Sequence, residues 1–452
     1  MNFQKAQEYL DSLQMHKIKL GLEAMESLLE KAARPDRKLR FVHIAGTNGK
    51  GSVCVNIVSI LKNAGYRVGL FTSPHLSSVR ERFRINDSYI SEETFAGLAS
   101  RLRDILAGEK ITYFEFTTAL ALLWFSEAGV DLVVLETGLG GRLDATNVVI
   151  PLVSVITNVS MDHEAYLGNT LESIAFEKAG IIKKGVDLVC GVQTGVGLDV
   201  VEKRCRELQA PLSLYGRDFD TEDDAAGWIW RGRRGGVGGM VFSALQCGMK
   251  GDYQRENSAL AIAVVSLLRQ HGYRCSENDV RAGLAAVHWP GRLEFIALSR
   301  KDRSLLGHDD HDGLERSVRY LLDGAHNPAG VEKLVQTLKK EYAFNRLILI
   351  WGAMEDKDLR LTLPPVAALA SIIILTRPQG ERAASPVFLS SVLDETTRMR
   401  CHLIAPVDEA LRFAEEQAQQ DDLIVVAGSL YLVGEIRCKL VGELTQQGVA
   451  AA

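Results

Sequence analysis

A glycine-rich turn between an apolar strand and an apolar helix constrains the fold more than any other feature of this sequence. Residues 39–45 have the sequence LRFVHIA, and residues 52–64 carry apolar side chains at helical spacing up to Gly65. The turn consists of Gly46, Thr47, Asn48, Gly49, Lys50, Gly51 and Ser52. Because glycines let backbone amides converge on phosphate oxygens at a helix N-terminus, this order of elements predicts a phosphate-binding loop.

The polar side chains of this loop indicate a bound nucleotide. Lys50 is placed to neutralise the β- and γ-phosphates, and the Ser52 hydroxyl is placed to bind Mg²⁺ or phosphate. The match to the common GxxxxGK[ST] pattern is imperfect, since Ile44 occupies the first glycine position and Gly51 is inserted after the lysine. A purely structural turn is the alternative, but the strand and helix that flank the loop favour ATP binding.

Further apolar strands without polar alternation predict parallel β-sheets covered on both faces. Residues 131–136 and 152–157 are of this kind. After a charged segment at residues 299–317, which we interpret as an exposed linker or loop, the β/α alternation resumes. Its predicted strands are residues 346–351, 371–376, 401–404 and 422–427. We therefore predict an α/β protein, with a P-loop-type parallel-sheet ATPase domain at residues 1–295 and a smaller Rossmann-like α/β domain at residues 296–452.

Composition and charge limit the partners of this chain. Its 452 residues exceed one ordinary domain, and 46% hydrophobic with 24% charged residues is typical of soluble globular proteins. A net charge of −5 gives no general attraction for nucleic acid or anionic membranes. The N-terminus has no apolar leader, no run is long enough to span a membrane, and the seven cysteines contain no CxxC pair. We expect a cytoplasmic protein with reduced thiols and with neither nucleic acid nor membrane partners.

Several motifs that follow one another along the chain resemble a known family. They are HIAGTNGKGS (43–52), TSPHL (72–76), TYFEF (112–116), ETGLGGRLDATN (136–147), TNVSMDHEAYLGNTLESIAFEKAGIIKK (157–184), PGRLE (290–294), LDGAHNP (322–328) and AGSL (427–430). Together they resemble the Mur ligase superfamily, specifically its folate branch of folylpolyglutamate synthases and bifunctional dihydrofolate synthases. The resemblance implies ATP-dependent addition of L-glutamate to dihydropteroate or to the γ-carboxylate of folates through an acyl phosphate, with ADP and phosphate released.

The resemblance also implies a metal site whose members say less when considered alone. Glu136 ends a predicted strand and suits Mg²⁺, with a turn cap as the alternative. His163 alone would be structural, and Lys178 alone would be a solvated lysine. By resemblance, the ligands of two Mg²⁺ ions are Ser52, Ser73, Glu136 and His163. Lys178 matches a lysine that becomes carbamylated, K⁺ is a further implied ion, and the implied catalytic residues are Lys50, His163 and Lys178.

The second half of the chain supplies further residues that the family pattern assigns to ATP. Asn257 matches an asparagine near the adenine, and Arg292 matches an arginine that reaches the phosphates. Asp323 and His326 match residues on the ribose and phosphate side. Considered alone, residues 322–328 predict a strand end, a glycine turn and a helix that starts with proline, for which a purely structural turn is the alternative.

The resemblance places the acceptor and the amino acid on different segments. Its candidates for the pterin-binding side are His75, Arg82, Phe114, Phe116, Asp144 and Ala145. Aromatic rings such as Phe114 and Phe116 can stack on a flat heterocycle, although core packing would explain them equally well. Glutamate is expected to bind mainly to the C-terminal domain, where Ser429 and His326 are the candidates.

Two alternative functions belong to different classes. A muropeptide ligase would use the same ATP chemistry, but such enzymes carry a substrate domain ahead of the loop, which here begins at residue 46. An ATP-binding module that does not ligate has no need for the implied metal and carbamate set. The His and Asp cluster at residues 308–312 lacks ligand spacing and is interpreted as a solvated loop. By resemblance we expect a monomer acting on small molecules.

Overall fold

The computed structural model describes residues 1–13, 21–306, 317–380 and 382–442. The chain forms two compact units. The first comprises Met1–Pro74, Val79–Gly248 and Gln254–Val287, and the second comprises His75–Ser78, Met249–Tyr253 and His288–Ala452. No helix within the described ranges is both long enough and apolar enough to span a bilayer.

An eight-stranded sheet organises the first unit, with the strand order β4-β3-β2-β5-β1-β6-β7-β8. The strands are β1 Phe41–Ala45, β2 Val68–Phe71, β3 Phe83–Ile85, β4 Ser88–Tyr89, β5 Leu132–Glu136, β6 Val153–Ile156, β7 Asp187–Cys190 and β8 Leu212–Leu214. β3 and β4 form an antiparallel edge, and the other six strands are parallel. Every residue of β1, β5 and β6 is buried, which confirms the prediction made from their unbroken apolar sequences.

The helices in this part of the chain cover the sheet and extend its core. They are α1 Phe3–Leu13, α2 Glu23–Lys31, α3 Lys50–Asn63, α4 Glu92–Leu106, α5 Tyr113–Ala128, α6 Glu164–Leu167, α7 Leu171–Ala179, α8 Val196–Leu208, α9 Asp252–Leu268 and α10 Glu277–Ala285. α5 starts at a capping box in which the Thr112 and Glu115 side chains bind each other's backbone amides, and it ends at Gly129 in the left-handed conformation. Its apolar side chains join those of α1, α2 and α4 in one hydrophobic cluster.

A small antiparallel sheet was not predicted from the sequence. Its strands are β9 Phe219–Asp224, β10 Gly227–Gly232 and β11 Val241–Leu245. The glycine-rich residues 231–239 connect β10 to β11, which confirms the hairpin or loop expected there. Trp228 and Trp230 of β10 are both buried and anchor this sheet.

The second unit has its own sheet, with the strand order β12-β13-β17-β14-β15-β16. The strands are β12 Glu294–Ser299, β13 Ser317–Leu322, β14 Leu347–Trp351, β15 Ile372–Leu375, β16 Cys401–Leu403 and β17 Leu423–Ala427. Only β12 runs antiparallel to its neighbour. The described helices of this unit are α11 Pro328–Glu341, α12 Leu359–Ala367, α13 Pro386–Ser391, α14 Glu395–Arg398, α15 Val407–Gln417 and α16 Leu430–Val441. The architecture confirms the predicted α/β class.

Two sequence-based boundaries change in the structure. The predicted division between residues 295 and 296 falls inside β12, which belongs to the second unit because it pairs along its whole length with β13. The charged segment predicted to be a linker or loop falls between β12 and β13, which pair in one sheet, and so does not separate two domains. The cluster at residues 308–312 lies outside the described residues.

Candidate active site

The phosphate loop is held against the segment that follows β6. The Thr47 amide donates to the Asn158 carbonyl at 3.1 Å, and the Asn48 amide donates to Asn158 Oδ1 at 2.9 Å. Thr157 Oγ1 donates to the Asn48 carbonyl at 2.6 Å. At Gly46, with φ of 154°, an added Cβ would lie 1.8 Å from Thr157 Oγ1. The sequence therefore needs glycine at Gly46 because the loop approaches its neighbour too closely for any side chain.

The same loop opens directly into α3. Gly49 is the N-cap with φ of 81°, and an added Cβ there would lie 2.5 Å from Asn257 Oδ1. The structure thus brings Asn257 of α9 to the loop, and its assignment to the adenine stays a prediction. Lys50 Nζ donates to the carbonyls of Gly46 and Thr47 at 3.1 and 3.3 Å, so its ammonium group lies against the backbone at the start of the loop. Gly51 and the buried Ser52 lie in the first turn of α3.

Glu136 and Ser73 meet at the carboxyl edge of the parallel strands. Glu136 ends β5 and is buried, and its Oε2 accepts a hydrogen bond from the Ser73 amide at 3.0 Å. Burial raises the pKa of the Cys54 thiol on α3 well above its usual value, Glu136 raises it further and Lys50 opposes the rise. Glu136 and Lys50 therefore lie within electrostatic range of the same side chain.

A glycine turn follows Glu136 and is held by a buried carboxylate. Asp144 Oδ2 accepts from the amides of Gly138 and Leu139 at 2.9 and 2.8 Å. Its Oδ1 accepts from the Thr146 amide at 3.0 Å and from Thr146 Oγ1 at 2.5 Å. Burial raises the pKa of Asp144 above its usual value, and these hydrogen bonds offset only part of the rise. The carboxylate predicted to contact the acceptor is thus engaged in fixing the turn.

The prediction that Lys178 considered alone is solvated is wrong. The Lys178 side chain is buried in α7, and burial, with a smaller contribution from Lys50, lowers its pKa to about 7. Asp162 opposes this shift and so lies within electrostatic range of the amine. The neighbouring Glu177 instead pairs with Arg142 at 2.8 Å, which ties α7 to the end of the glycine turn.

His163 lies at the N-cap of the short helix α6 and adopts φ of 52°. Its side chain is 42% exposed, and its Nε2 lies 3.9 Å from Asp162 Oδ1. Because Asp162 also acts on Lys178, these three residues belong to one region. Asp162 has no role in the sequence-based prediction, and its position next to His163 is the signal that could have indicated one.

Among the residues that the structure describes, no three His, Cys, Asp or Glu side chains cluster as a metal site. The ligands predicted for Mg²⁺ are of a different composition: two hydroxyls (Ser52 and Ser73), one carboxylate (Glu136) and one imidazole (His163). Mg²⁺ commonly binds few protein groups and keeps substrate phosphates and waters as its other ligands. The buried Glu136 carboxylate beside the phosphate loop fits that mode of binding.

The predicted acceptor residues divide into two groups. Phe116 is fully buried, its ring centroid lies 5.4 Å from that of Tyr9, and it belongs to the same hydrophobic cluster as Ala145. For Phe116 the structure favours the core-packing alternative, and Ala145 packs in the same core. Phe114 is only partly buried, and an added Cβ at Gly138 would lie 2.6 Å from its Cζ. Its ring therefore stands against the glycine turn.

Arg82 and His75 lie in different units. Arg82 belongs to the first unit, is buried, and its guanidinium carbon lies 5.3 Å from the ring centroid of Tyr113. Tyr113 immediately precedes Phe114 at the start of α5, so Arg82 lies near the same end of this helix. His75 is half-buried and belongs to the second unit.

The second unit brings together the other residues that the family pattern assigns to ATP. Asp323 accepts from the amides of Leu293 and Ala325, each at 2.9 Å. Burial raises the pKa of Asp323 above its usual value, and the Arg292 guanidinium offsets only part of the rise. His326 Nδ1 lies 2.8 Å from the Gly324 carbonyl. Residues 322–328 form the predicted strand end, turn and helix start, with Pro328 opening α11.

Ser429 has a local structural role in the same unit. Its side chain caps α16 by accepting from the Leu432 amide at 3.1 Å. The preceding Gly428 amide donates to the Ala325 carbonyl at 3.1 Å, so the start of α16 lies beside the turn that contains His326. The two residues expected at the glutamate site therefore come from adjacent loops.

Comparison with known proteins agrees with this arrangement of motifs. Residues 44–265 match the Mur ligase middle domain, and residues 312–430 match the Mur ligase, glutamate ligase domain. The dihydrofolate synthase/folylpolyglutamate synthase of Bacillus subtilis is 33% identical over 97% of this chain and 99% of its own length. The chain belongs to the folate branch of the Mur ligase family. It is accordingly an ATP-dependent ligase, and the muropeptide and non-ligating alternatives are disfavoured.

Solved structures of this family share the whole architecture. E. coli FolC, solved in complex with DHPP and ADP, has a TM-score of 0.83 and 29% identity, and the match covers 97% of each chain. A bifunctional folylpolyglutamate synthase/dihydrofolate synthase solved with Mn, AMPPNP and L-glutamate bound has a TM-score of 0.82 and 30% identity, covering 97% of this chain and 98% of that one. Both units of the present ligase therefore have counterparts in single chains of this family.

Proposed function

We propose that this ligase adds L-glutamate to dihydropteroate, to the γ-carboxylate of folates, or to both, as a cytoplasmic monomer. The observation that carries the proposal is the buried Lys178, whose pKa is lowered to about 7, within electrostatic range of the phosphate-loop Lys50. A nucleotide-hydrolysing loop alone has no use for a second, buried lysine that is partly neutral near pH 7 at this place. The relatives named above, which include complexes with ADP, with DHPP and with L-glutamate, support the choice of substrates.

The proposed reaction has two chemical steps. An oxygen of the acceptor carboxylate attacks the γ-phosphorus of ATP, and the bond to the bridging oxygen breaks to release ADP. The α-amine of glutamate then attacks the acyl carbon, loses a proton and displaces inorganic phosphate, leaving an amide. The backbone amides at the start of α3, Lys50 and Arg292 hold the phosphates and offset the charge of the transferring group. Asn257, Asp323 and His326 are proposed to orient the rest of the nucleotide.

Ser52, Ser73, Glu136 and His163 are proposed to hold two Mg²⁺ ions, and a K⁺ ion is a further sequence-based prediction. Bound divalent ions would reduce the repulsion between the acceptor carboxylate and the γ-phosphate. The residues of this chain supply the rest. Glu136 is kept in place through its hydrogen bond with the Ser73 amide, and the glycine turn after it is fixed by Asp144.

Lys178 is proposed to act as a carbamate. Because its pKa is about 7, roughly half of its side chains are neutral near pH 7, against fewer than about one in a thousand for an ordinary lysine. A neutral amine can attack carbon dioxide, form an N–C bond and release a proton, which turns a buried cation into an anion. That anion would then share the region of His163 and orient the second metal ion.

The test is ADP release by the purified chain with ATP and Mg²⁺. We expect release only when glutamate is present together with dihydropteroate or with tetrahydrofolate, and little with either substrate omitted. Turnover with dihydropteroate alone as acceptor would define a monofunctional dihydrofolate synthase. Release that is independent of the acceptor would contradict the proposed function.

A further inference from the structure

The loop that carries Arg292 has a backbone conformation that one of its residues, Leu293, disfavours. Gly291 has φ of 70° and Leu293 has φ of 47°. Glycine accepts a positive φ freely, but a residue with a branched side chain such as leucine does so only at an energetic cost. Neighbouring groups must therefore hold this loop in place.

Two buried carboxylates bind the backbone on either side of Arg292. Glu294 Oε2 accepts from the Gly291 amide at 2.8 Å, and Asp323 Oδ2 accepts from the Leu293 amide at 2.9 Å. The Arg292 Nη1 atom donates to the Gly291 carbonyl at 3.2 Å. Both residues adjacent to the arginine are thus fixed by charged side chains, so the direction of the Arg292 side chain depends on where those carboxylates are held.

Glu294 is in turn held by Arg437 of α16. Arg437 Nε donates to both carboxylate oxygens of Glu294 at 2.9 Å, and the two side chains are only 8% and 5% exposed. His288 is a more distant neighbour, with Nε2 at 3.8 Å from Glu294 Oε1 and a side chain 65% exposed. Burying such a pair is costly, and an apolar pair would often serve stability equally well. The exact direction it imposes on a loop amide is what an apolar pair could not provide.

One face of α16 packs against the loop that carries Arg292 and against the nearby turn at Gly324. An added Cβ at Gly324 would lie 2.4 Å from Leu430 Cδ2, and one at Gly291 would lie 3.1 Å from Val433 Cγ1. Leu430, Val433 and Arg437 are spaced as i, i+3 and i+7 and so share one side of the helix. Glu294 pairs with Leu322, the last residue of β13, which places the whole arrangement at the carboxyl end of the parallel strands, where open α/β sheets bind ligands.

We propose that Arg437 is a positioning residue for the ligase reaction. It acts through Glu294, which fixes the Gly291 amide and thereby the direction in which Arg292 is presented to the phosphates of ATP. This inference rests on the role proposed above for Arg292 and adds to it a buried residue that is distant in sequence and lies outside the family motifs.

The test is a double-mutant cycle between Arg437→Met and Arg292→Ala, measured as kcat and KM for ATP under otherwise saturating substrates. We expect Arg437→Met to lower kcat/KM by about tenfold and Arg437→Lys to restore part of the loss, since lysine keeps the charge. The double variant should be no slower than Arg292→Ala alone, because Arg437 then has nothing left to position. If Arg437→Met does not fold, the same cycle is run with Glu294→Gln, which keeps the shape of the side chain.

Arg346→Met is the matched control. Arg346 pairs with the buried Asp422 at 2.6 Å, in the same sheet but at its opposite edge, where β14 and β17 begin. The Arg346→Met substitution should lower the temperature of unfolding without changing kcat/KM. Losses that multiply in the Arg437→Met/Arg292→Ala variant would overturn the positioning role alone. A wild-type rate for Arg292→Ala would overturn both this inference and the proposed role of Arg292 in binding ATP.

Discussion

At the scale of single residues, burial decides what Lys178 can do. The motif identified this lysine only by resemblance, because a lysine in a helical stretch is most often exposed. The helix that carries it, α7, packs closely against the glycine turn: an added Cβ at Gly141 would lie 3.0 Å from the Lys178 carbonyl and 2.9 Å from that of Glu177. A contact of this kind joins segments that are distant in sequence, and no local pattern reveals it.

The lowered pKa of Lys178 has a measurable consequence for stability. Below pH about 7 the side chain is charged in both the folded and the unfolded chain, and burying that charge disfavours folding. Between pH about 7 and its ordinary value of 10.5, the unfolded chain binds a proton that the folded chain does not, so the free energy of unfolding rises with pH. Relative to Lys178→Met, the wild type should gain up to about 1.4 kcal/mol per pH unit in this window.

Urea unfolding of both proteins between pH about 6 and about 9.5 in carbonate-free buffer measures this difference. Carbonate is excluded because carbamylation would replace the titrating amine. Lys178→Met should be the more stable protein at the acidic end, and its advantage should shrink as the pH rises. A difference that does not change with pH would show that the amine is not titrating near neutrality.

At the scale of elements, the apolar runs in the sequence predicted seven of the parallel strands but not β2, β7, β8 or β13. β1, β5, β6, β14, β15 and β17 lie within the predicted apolar runs, because strands buried on both faces must be apolar throughout. β9 has the sequence FDTEDD, in which only Phe219 is apolar and buried, so it gave no apolar signal. β12 lies beside a charged segment and runs antiparallel, and its partner β13 begins only after that segment, which is why the predicted domain boundary cut through it.

Asp144 stabilises the glycine turn after β5, so replacing it should lower the stability of the folded chain. Asp144→Ala leaves the amides of Gly138, Leu139 and Thr146 without their acceptor, so the free energy of unfolding should fall by about 2 to 4 kcal/mol even without ligands. Asp144→Asn keeps one accepting oxygen and should lose less.

Asp358→Ala is a control for the loss of a carboxylate that binds only a helix end. Asp358 accepts from the Leu361 amide at the start of α12, and its loss should cost about 1 kcal/mol. Urea unfolding of the three variants in the absence of ligands provides the comparison. If Asp144→Ala unfolds like the wild type, the carboxylate does not hold the turn, and its predicted contact with the acceptor becomes the better explanation.

At the scale of the whole molecule, the net charge of −5 gives no general attraction for anionic substrates. Cationic groups and backbone amides at particular places must supply it: the loop with Lys50 in the first unit and the Arg292 loop in the second. The motifs identified both places because each is continuous in sequence. The supports behind them, such as Asn158 behind the loop amides and Arg437 behind Glu294, come from elsewhere in the chain and became visible only in the fold.

Activation of a carboxylate by ATP can be detected directly as transfer of an oxygen atom from the acceptor to inorganic phosphate. Dihydropteroate or tetrahydrofolate with heavy oxygen in the reacting carboxylate is incubated with ATP, Mg²⁺ and glutamate, and the released inorganic phosphate is examined by mass spectrometry. We expect one labelled oxygen in phosphate for each amide formed, because the acyl phosphate keeps a carboxylate oxygen when it breaks at carbon. Amide formation with unlabelled phosphate, or with the label in AMP, would contradict it.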